Sequence, residues 1–220
     1  MDLRDAMRTT AAVRSFTDEP VAPAVVHAIL DDARFAPSGG NQQGWRVAVV
    51  DDPALRRRLA DLSAPVWARY LAEQAAGHRA YGVVAPAPSD LVVPEGLPTH
   101  PMLDAIESVP VVLVVAVDLR TLAVTDRDLD RPSVVGGGSI YPFVHNVLLA
   151  ARGRGLAGSI TTFLAAAERE AAPLLGLPEH HAIVAMVGLG HPEHQPTRLR
   201  RRPVEAFATV DRFDGAPFAG

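Results

Sequence analysis

Apolar positions recur along this chain with two different periods, and the two periods predict different elements. A spacing of three and four residues marks helices. Leu3, Ala6 and Met7 share one face over residues 2–9, where Asp2 can serve as the cap. Val25, Val26, Ile29, Leu30 and Ala33 form the stripe of a second helix that ends before Pro37. Asp52 followed by Pro53 predicts a helix start, because a capping carboxylate there precedes a proline whose missing N–H is no loss. That helix runs through ALRRRLADL, and a further one is expected after Pro65 through VWARYLAEQAA. YPFVHNVLLAAR (141–152) reads as a core helix, and AAAEREAAPLL (165–175) as a helix stopped by Gly176. Extended runs are expected at WRVAVV (45–50), VVLVVAVD (111–118), LAGSITTF (156–163) and AIVAMVGLG (182–190), with a last strand in PVEAFATVDRF (203–213). VVLVVAVD is apolar without alternation, so it is expected to be buried on both faces.

Two polar stretches interrupt this pattern. Residues 77–101 carry prolines at 86, 88, 94, 98 and 101, too many for regular structure. An excursion of that length in a compact chain is more often a functional cover than a linker, and residues 62–105, with Trp67, Tyr70 and Tyr81, are expected to cover a site and set substrate choice. The other stretch, APSGGNQQGW (36–45), holds more hydrogen-bonding groups than a connection requires.

Composition narrows the chemistry. The 220 residues, 48% of them hydrophobic, suit one α/β or α+β domain over 1–220. No cysteine is present, which removes disulfides, thiolate nucleophiles and sulfur-bound zinc. All 21 basic residues are arginine, which removes a lysine Schiff base and a Walker-type phosphate loop. A net charge of −4 argues against nucleic acid or an anionic membrane as partner. No apolar run approaches the roughly 20 residues of a membrane helix and the N-terminus lacks an apolar signal core, so a cytoplasmic protein is expected.

Several local signals dissolve in context. GRGLAG satisfies G-x-G-x-x-G at Gly153, Gly155 and Gly158, but it follows a helix and leads into an extended run, the reverse of a dinucleotide fingerprint. It reads as a helix stop. His180, His181, His191 and His194 lack matched ligand spacing, and no G-x-S-x-G nucleophile motif occurs. The basic cluster of Arg198, Arg200, Arg201 and Arg202 has no interleaved aromatic platform. Arg14, the amide-rich loop 38–43 and the arginines at 200–202 together suit a ligand that has a phosphate, a polyol and a flat polar ring, as FMN does.

In AAVRSFTDEPV, ARFAPSGGNQQGWRV, SIYPFVHNVLLAARGRGLAGSITTF and RRRPVEAFATVDRF, standing in that order, the chain resembles the FMN-dependent nitroreductase family. The resemblance implies an α+β fold, a central mixed sheet flanked by helices, in a homodimer whose C-terminal strand is exchanged between subunits. It implies Arg14 and Arg201 as a phosphate clamp assisted by Arg8 or Arg200, and Ser38, Gly39, Asn41 and Gln43 as a loop that contacts FMN from the partner subunit. The backbone near Thr161 and Thr162 would approach flavin N5. The implied activity is hydride transfer from NAD(P)H by way of the flavin to a small electron-poor acceptor such as a nitroaromatic or quinone, with no catalytic side chain and no metal. Dehalogenase, oxidase or non-catalytic flavin-binding roles are alternatives on the same fold. The chain departs from the family pattern at Thr10, Ala11 and Ala12, where an Arg-Arg-Ser run is common, and at Gly44, where proline commonly precedes the tryptophan. No arginine lies between Arg79 and Arg120, leaving His100 as the stand-in for a basic residue near the flavin pyrimidine.

Overall fold

The computed structural model describes all residues from Met1 to Gly220. Its centre is a four-stranded sheet in the order β1-β2-β4-β3, formed by Trp45–Val49 (β1), Val111–Asp118 (β2), Ala157–Thr161 (β3) and His181–Gly190 (β4). All three pairings are antiparallel, and the mixed character expected of the sheet is confined to one parallel bridge between Ala12 and Gly158. β2 is buried along seven of its eight residues. Its unbroken apolar run therefore reports a central strand covered on both faces.

Alternate β2 residues serve different layers, as strand geometry requires. Leu113 and Val115 face a cluster built with α2 (Pro23–Ala33) and α5 (Tyr141–Gly153), through Ile29, Ala33, Val144 and Val147. Val112 and Val114 face a second cluster with α3 (Pro53–Ala75), α4 (Pro101–Asp104), α6 (Phe163–Ala166) and α7 (Glu168–Leu175). Each fully buried aliphatic side chain in these layers contributes roughly 1.5–3 kcal/mol. α1 (Leu3–Thr9) is capped by Asp2, whose carboxylate accepts from the Asp5 N–H at 2.8 Å.

Two expectations are corrected. The two helices expected around Pro65 are one, because α3 passes through the proline without a break. Pro65 has no N–H for the Asp61 carbonyl, but both residues lie on the exposed face, where water can serve that carbonyl. On the inner face Leu59, Ala60, Ser63 and Ala72 stay packed and hold the axis. The C-terminal segment is not a strand either. Within one chain no strand lies beside it, so its hydrogen bonds close locally, from Val210 N–H to the Ala216 carbonyl at 2.9 Å and from Phe218 N–H to the Ala208 carbonyl at 2.9 Å.

The glycine run after α5 behaves as a helix stop, with Gly155 at φ +80°. Gly158 has a different role: a Cβ there would lie 2.4 Å from the Gly188 carbonyl oxygen, so only glycine lets β3 approach β4 this closely.

α3 also anchors the proline-rich excursion. Arg69 pairs with Glu73 at 2.7 Å and donates to the carbonyls of Pro88 and, at 3.0 Å, Leu91. The other Glu73 oxygen accepts from the Tyr81 N–H at 2.6 Å. The Arg69 hydrogen bond, then that backbone bond, holds the Glu73 carboxyl below its ordinary pKa. Its contribution is therefore present above the ordinary carboxylate range and lost as pH falls through it. Glu73→Gln is expected to speed limited proteolysis within 82–97 while leaving the unfolding midpoint of the sheet core nearly unchanged. Equal cleavage rates at pH 7 would contradict this anchoring.

Candidate active site

The parallel bridge between Ala12 and Gly158, reinforced by the Val13 N–H to the Gly158 carbonyl at 2.9 Å, lays the N-terminal chain along the free edge of β3. Val13 is buried, and the next residue, Arg14, points the other way and lines a cavity together with Ile160. Its guanidinium makes no hydrogen bond and no ion pair in the chain. It opens on a cavity of about 370 Å³ that it shares with Trp67, Tyr70, His100, Thr161 and Phe163. A cavity of this size is in the range of small-molecule sites.

The wall opposite is aromatic and comes from three segments. Trp67 and Tyr70 of α3 stack at 5.3 Å, while His100 meets Trp67 and Phe163 edge-on at 5.1 and 5.6 Å. The Trp67 indole N–H donates to the Pro98 carbonyl at 2.9 Å, which ties α3 to the end of the excursion. His100 is 4% exposed. Burial first, and the nearby Arg14 charge second, push its pKa down to about 4, so the imidazole is neutral at pH 7.

This shift carries a sign. As pH falls, the unfolded chain takes up the proton near the ordinary histidine value of about 6.5, before the folded chain does, so folded-state stability is lost from there down to the lowered value. Between pH 7 and pH 5 we expect a loss on the order of 2 kcal/mol from this residue. Urea melts at the two pH values should show it, and His100→Leu should flatten that slope. An unchanged slope in the variant would place the titration elsewhere.

At the floor of the cavity β3 ends at Thr161, whose side chain is buried, with its hydroxyl 3.5 Å from the Met186 carbonyl oxygen. Thr162 precedes α6 and gives it no side-chain cap.

The loop 38–43 is built with unusual care. Gly40, Asn41 and Gln43 all have left-handed φ, +58°, +55° and +51°. Two of these are not glycine, a conformation that persists only where surroundings impose it and that clusters at functional sites. Ser38 Oγ accepts from the Gln43 N–H at 3.0 Å, and the Gly39 N–H donates to Ser139 Oγ at 3.0 Å. The Gln43 side-chain amide donates to the Asn41 carbonyl at 3.2 Å, and Gly39, Asn41 and Gln43 are exposed. At Gly44 a Cβ would lie 2.0 Å from Thr121 Oγ1, which accounts for the absence of a proline there.

Within one chain these parts do not all meet. Loop 38–43 leads into β1 at one edge of the sheet, and Thr161 ends β3 at the other, three strand spacings or about 14 Å away. Arg14 and Thr161 are brought together; Ser38, Gly39, Asn41 and Gln43 stand apart from them. Arg200 and Arg201 are exposed and without ionic partners, with Arg201 Nη1 donating to the Arg200 carbonyl at 2.8 Å. They follow a segment laid back along the N-terminal chain, where the Gln195 amide donates to the Thr9 carbonyl at 3.0 Å.

Tyr81 is not part of the aromatic wall. Its hydroxyl donates to the Val66 carbonyl at 3.1 Å, and its ring is half-exposed on another face of α3. Phe163 takes a place there that sequence reasoning did not assign. The only signal for it was an aromatic residue directly after SITT.

No helix is long and apolar enough to cross a membrane. A Nitroreductase family model matches residues 7–191. An NADH dehydrogenase of Thermus thermophilus is 29% identical over 231 aligned positions, covering 93% of this chain and 94% of that protein. A 5,6-dimethylbenzimidazole synthase of Rhodobacter capsulatus is 32% identical over 196, covering 87% of this chain and 84% of the other. Among solved structures, the NADPH:FMN oxidoreductase of Vibrio harveyi in complex with NAD+ superposes with a TM-score of 0.68 at 20% identity, over 96% of this chain and 77% of that one. The family model spans most of the chain, and the chain belongs to the Nitroreductase family.

Proposed function

We propose that this protein is an FMN-dependent oxidoreductase that takes hydride from NADH or NADPH and delivers it to a small electron-poor acceptor, a nitroaromatic or a quinone. The observation that carries this reading is Arg14, an unpaired cation that opens on the same cavity as the end of β3 and a wall of aromatic rings. These residues fit a flavin: a flat ring can lie along the aromatic wall, with its electron-rich pyrimidine edge toward Arg14. Bound there, FMN would supply the N5 atom that accepts and gives hydride. The cavity that Arg14 shares with Thr161 supports a place at the ring rather than in the phosphate clamp that the resemblance implied, where it would stand in for the cation missing between Arg79 and Arg120. The N–H groups near Thr161 and Thr162 address the N5 edge. Arg200 and Arg201, with Arg8, are left for the phosphate.

A homodimer completes the site. Loop 38–43 cannot reach the Arg14 cavity in its own chain, so the partner subunit's copy does. The outer edge of β1 is unpaired, whereas that of β3 is partly covered by residues 12–13. The tail carries Phe207, Val210, Phe213 and Phe218 exposed, a pattern suited to adding a strand to the partner's free edge.

The test is turnover. Protein supplied with FMN should oxidise NADH or NADPH in step with reduction of menadione or nitrobenzene, and no acceptor-dependent oxidation with either nucleotide would sink the proposal. Residues 62–105 act as the cover in this reading. Trp67→Leu and Tyr70→Leu should change the ratio of quinone to nitroaromatic kcat/KM by about tenfold, since each removes an aromatic contact of roughly 1 kcal/mol or more. An unchanged ratio with FMN retained would show that the cover does not select the acceptor.

A further inference from the structure

His100 is the buried titratable group on the Arg14 cavity that hydride transfer leaves without a role. It also lines a second space, a cleft of about 470 Å³ between α3 and residues 94–104. Trp67 and His100 are common to both, so together they partition the inner cavity from the outer cleft. The Trp67 and Phe163 rings meet the imidazole edge-on and fix its plane. Nδ1 is enclosed without a hydrogen-bond partner. No donor therefore holds the ring neutral at that nitrogen and no acceptor holds it charged, and Nε2 is left as the nitrogen that exchanges a proton.

Burial and the positive field of Arg14 keep the ring neutral, with its pKa down to about 4. The other charged and titratable groups around it are Tyr70 on the inner cavity and Arg57, Asp61 and Asp104 on the outer cleft; α6 brings only the Phe163 ring. Asp61 and Asp104 are exposed, so water and salt screen their fields, and Arg57 lies 3.4 Å from the Glu107 carboxylate. Nothing on these walls counters Arg14 at His100, but an arriving negative charge would. Hydride carries two electrons and one proton, so its entry beside Arg14 adds one negative charge, which cancels the Arg14 field and favours the charged imidazole.

We infer that His100 is a redox-linked proton carrier: at Nε2 it takes one proton from water through the outer cleft as hydride enters the Arg14 cavity, and gives it up as hydride leaves. This rests on the hydride transfer proposed above, in which bound FMN supplies the place that holds the hydride. One N–H bond forms at Nε2 as the nicotinamide C–H bond breaks. That N–H bond then breaks as hydride bonds to the acceptor, and its proton becomes the acceptor's second hydrogen. NAD(P)H, one proton and the acceptor go in; NAD(P)+ and the acceptor carrying two hydrogens come out.

Redox titration of the FMN-loaded protein at several pH values tests this. In a two-electron couple each proton taken up lowers the midpoint by about 30 mV per tenfold change in proton concentration. Reduction is expected to tighten proton binding at His100 at least a hundredfold. The slope of the parent should therefore approach about 59 mV per pH unit between pH 5 and 6, for two protons, and fall to about 30 mV between pH 8 and 9. His100→Gln, which cannot take the proton, should give about 30 mV in both ranges. In the parent at pH 5.5, proton–nitrogen NMR of the imidazole should show His100 neutral before anaerobic reduction with dithionite and largely charged after it. A single shallow slope in the parent, a steep slope that survives in His100→Gln, or a His100 signal unchanged on reduction overturns the inference and leaves the hydride-transfer reading standing. Protein that retains no FMN overturns both.

Discussion

Arg14→Gln should raise the dissociation constant for FMN by about 10- to 100-fold, the equivalent of one charge-assisted hydrogen bond lost from a partly enclosed site. The fold should barely register the change. The Arg14 guanidinium makes no contact that the chain itself requires, so the flavin-free variant should unfold within about 0.5 kcal/mol of the parent. That separation distinguishes a binding residue from a structural one. Arg14→Lys keeps the charge but not the planar fork, and should recover only part of the affinity. Loss of the Arg14 charge also removes one of the two causes that lower the His100 pKa, so the histidine titration in Arg14→Gln should move up toward its ordinary value. Equilibrium dialysis against FMN and an NMR titration of His100 would check both. Unchanged flavin affinity would mean that Arg14 does not face the ring.

Arg56→Met should have the largest effect on stability, a loss of about 3–5 kcal/mol. Arg56 is 6% exposed, yet it is an arginine, in the first turn of α3 on its buried side. Its Nε donates to the Val50 carbonyl at 2.6 Å, and Nη1 donates to the Val109 carbonyl at 2.7 Å and the Glu107 carbonyl at 3.3 Å. These carbonyls belong to the chain just after β1 and just before β2. One guanidinium therefore satisfies backbone groups that the end of the β1–β2 ladder leaves open. Burial lowers the Arg56 pKa from its ordinary value, and the Asp51 carboxylate at 4.0 Å opposes that shift. Methionine preserves the packing of the stem but leaves the carbonyls without donors in an apolar setting. Arg56→Lys should recover little, because a single ammonium cannot span the carbonyls of both chain segments. Urea unfolding of the three proteins gives the comparison, and a loss below about 1 kcal/mol in Arg56→Met would show that water replaces the guanidinium.

Most of the layering was legible in the sequence because hydrophobic period reports burial directly. The stripe Val26, Ile29, Ala33 and the unbroken run Val111–Val117 sit in the core. Pro65 misled because a local rule was applied without the context that overrides it. The lost hydrogen bond falls on the exposed side of α3, while the packed side holds the helix together. The C-terminal segment misled for the opposite reason: a strand needs a neighbour, and none exists within one chain.

The candidate cavity was legible in some of its residues and not in its assembly. Arg14, Trp67, Tyr70 and Thr161, which line it, stood out by residue type and motif, whereas Ser38 and Asn41 stood out as well and lie apart from it within one chain. The neighbours of Arg14 depend on the parallel bridge at Ala12, a long-range contact that no local pattern encodes. His100 and Phe163 join Trp67 only because three distant segments converge there, while Tyr81, as conspicuous as Trp67 in the sequence, is turned away by its hydrogen bond to Val66.

The most direct measurement is a visible spectrum of the protein after incubation with FMN and removal of free flavin, followed by anaerobic addition of NADH and NADPH. We expect a bound flavin band that bleaches with at least one of the two nucleotides and is greatly reduced in Arg14→Gln. A protein that emerges without flavin, or whose flavin band is unaffected by both nucleotides, would contradict the assignment of this cavity to hydride transfer.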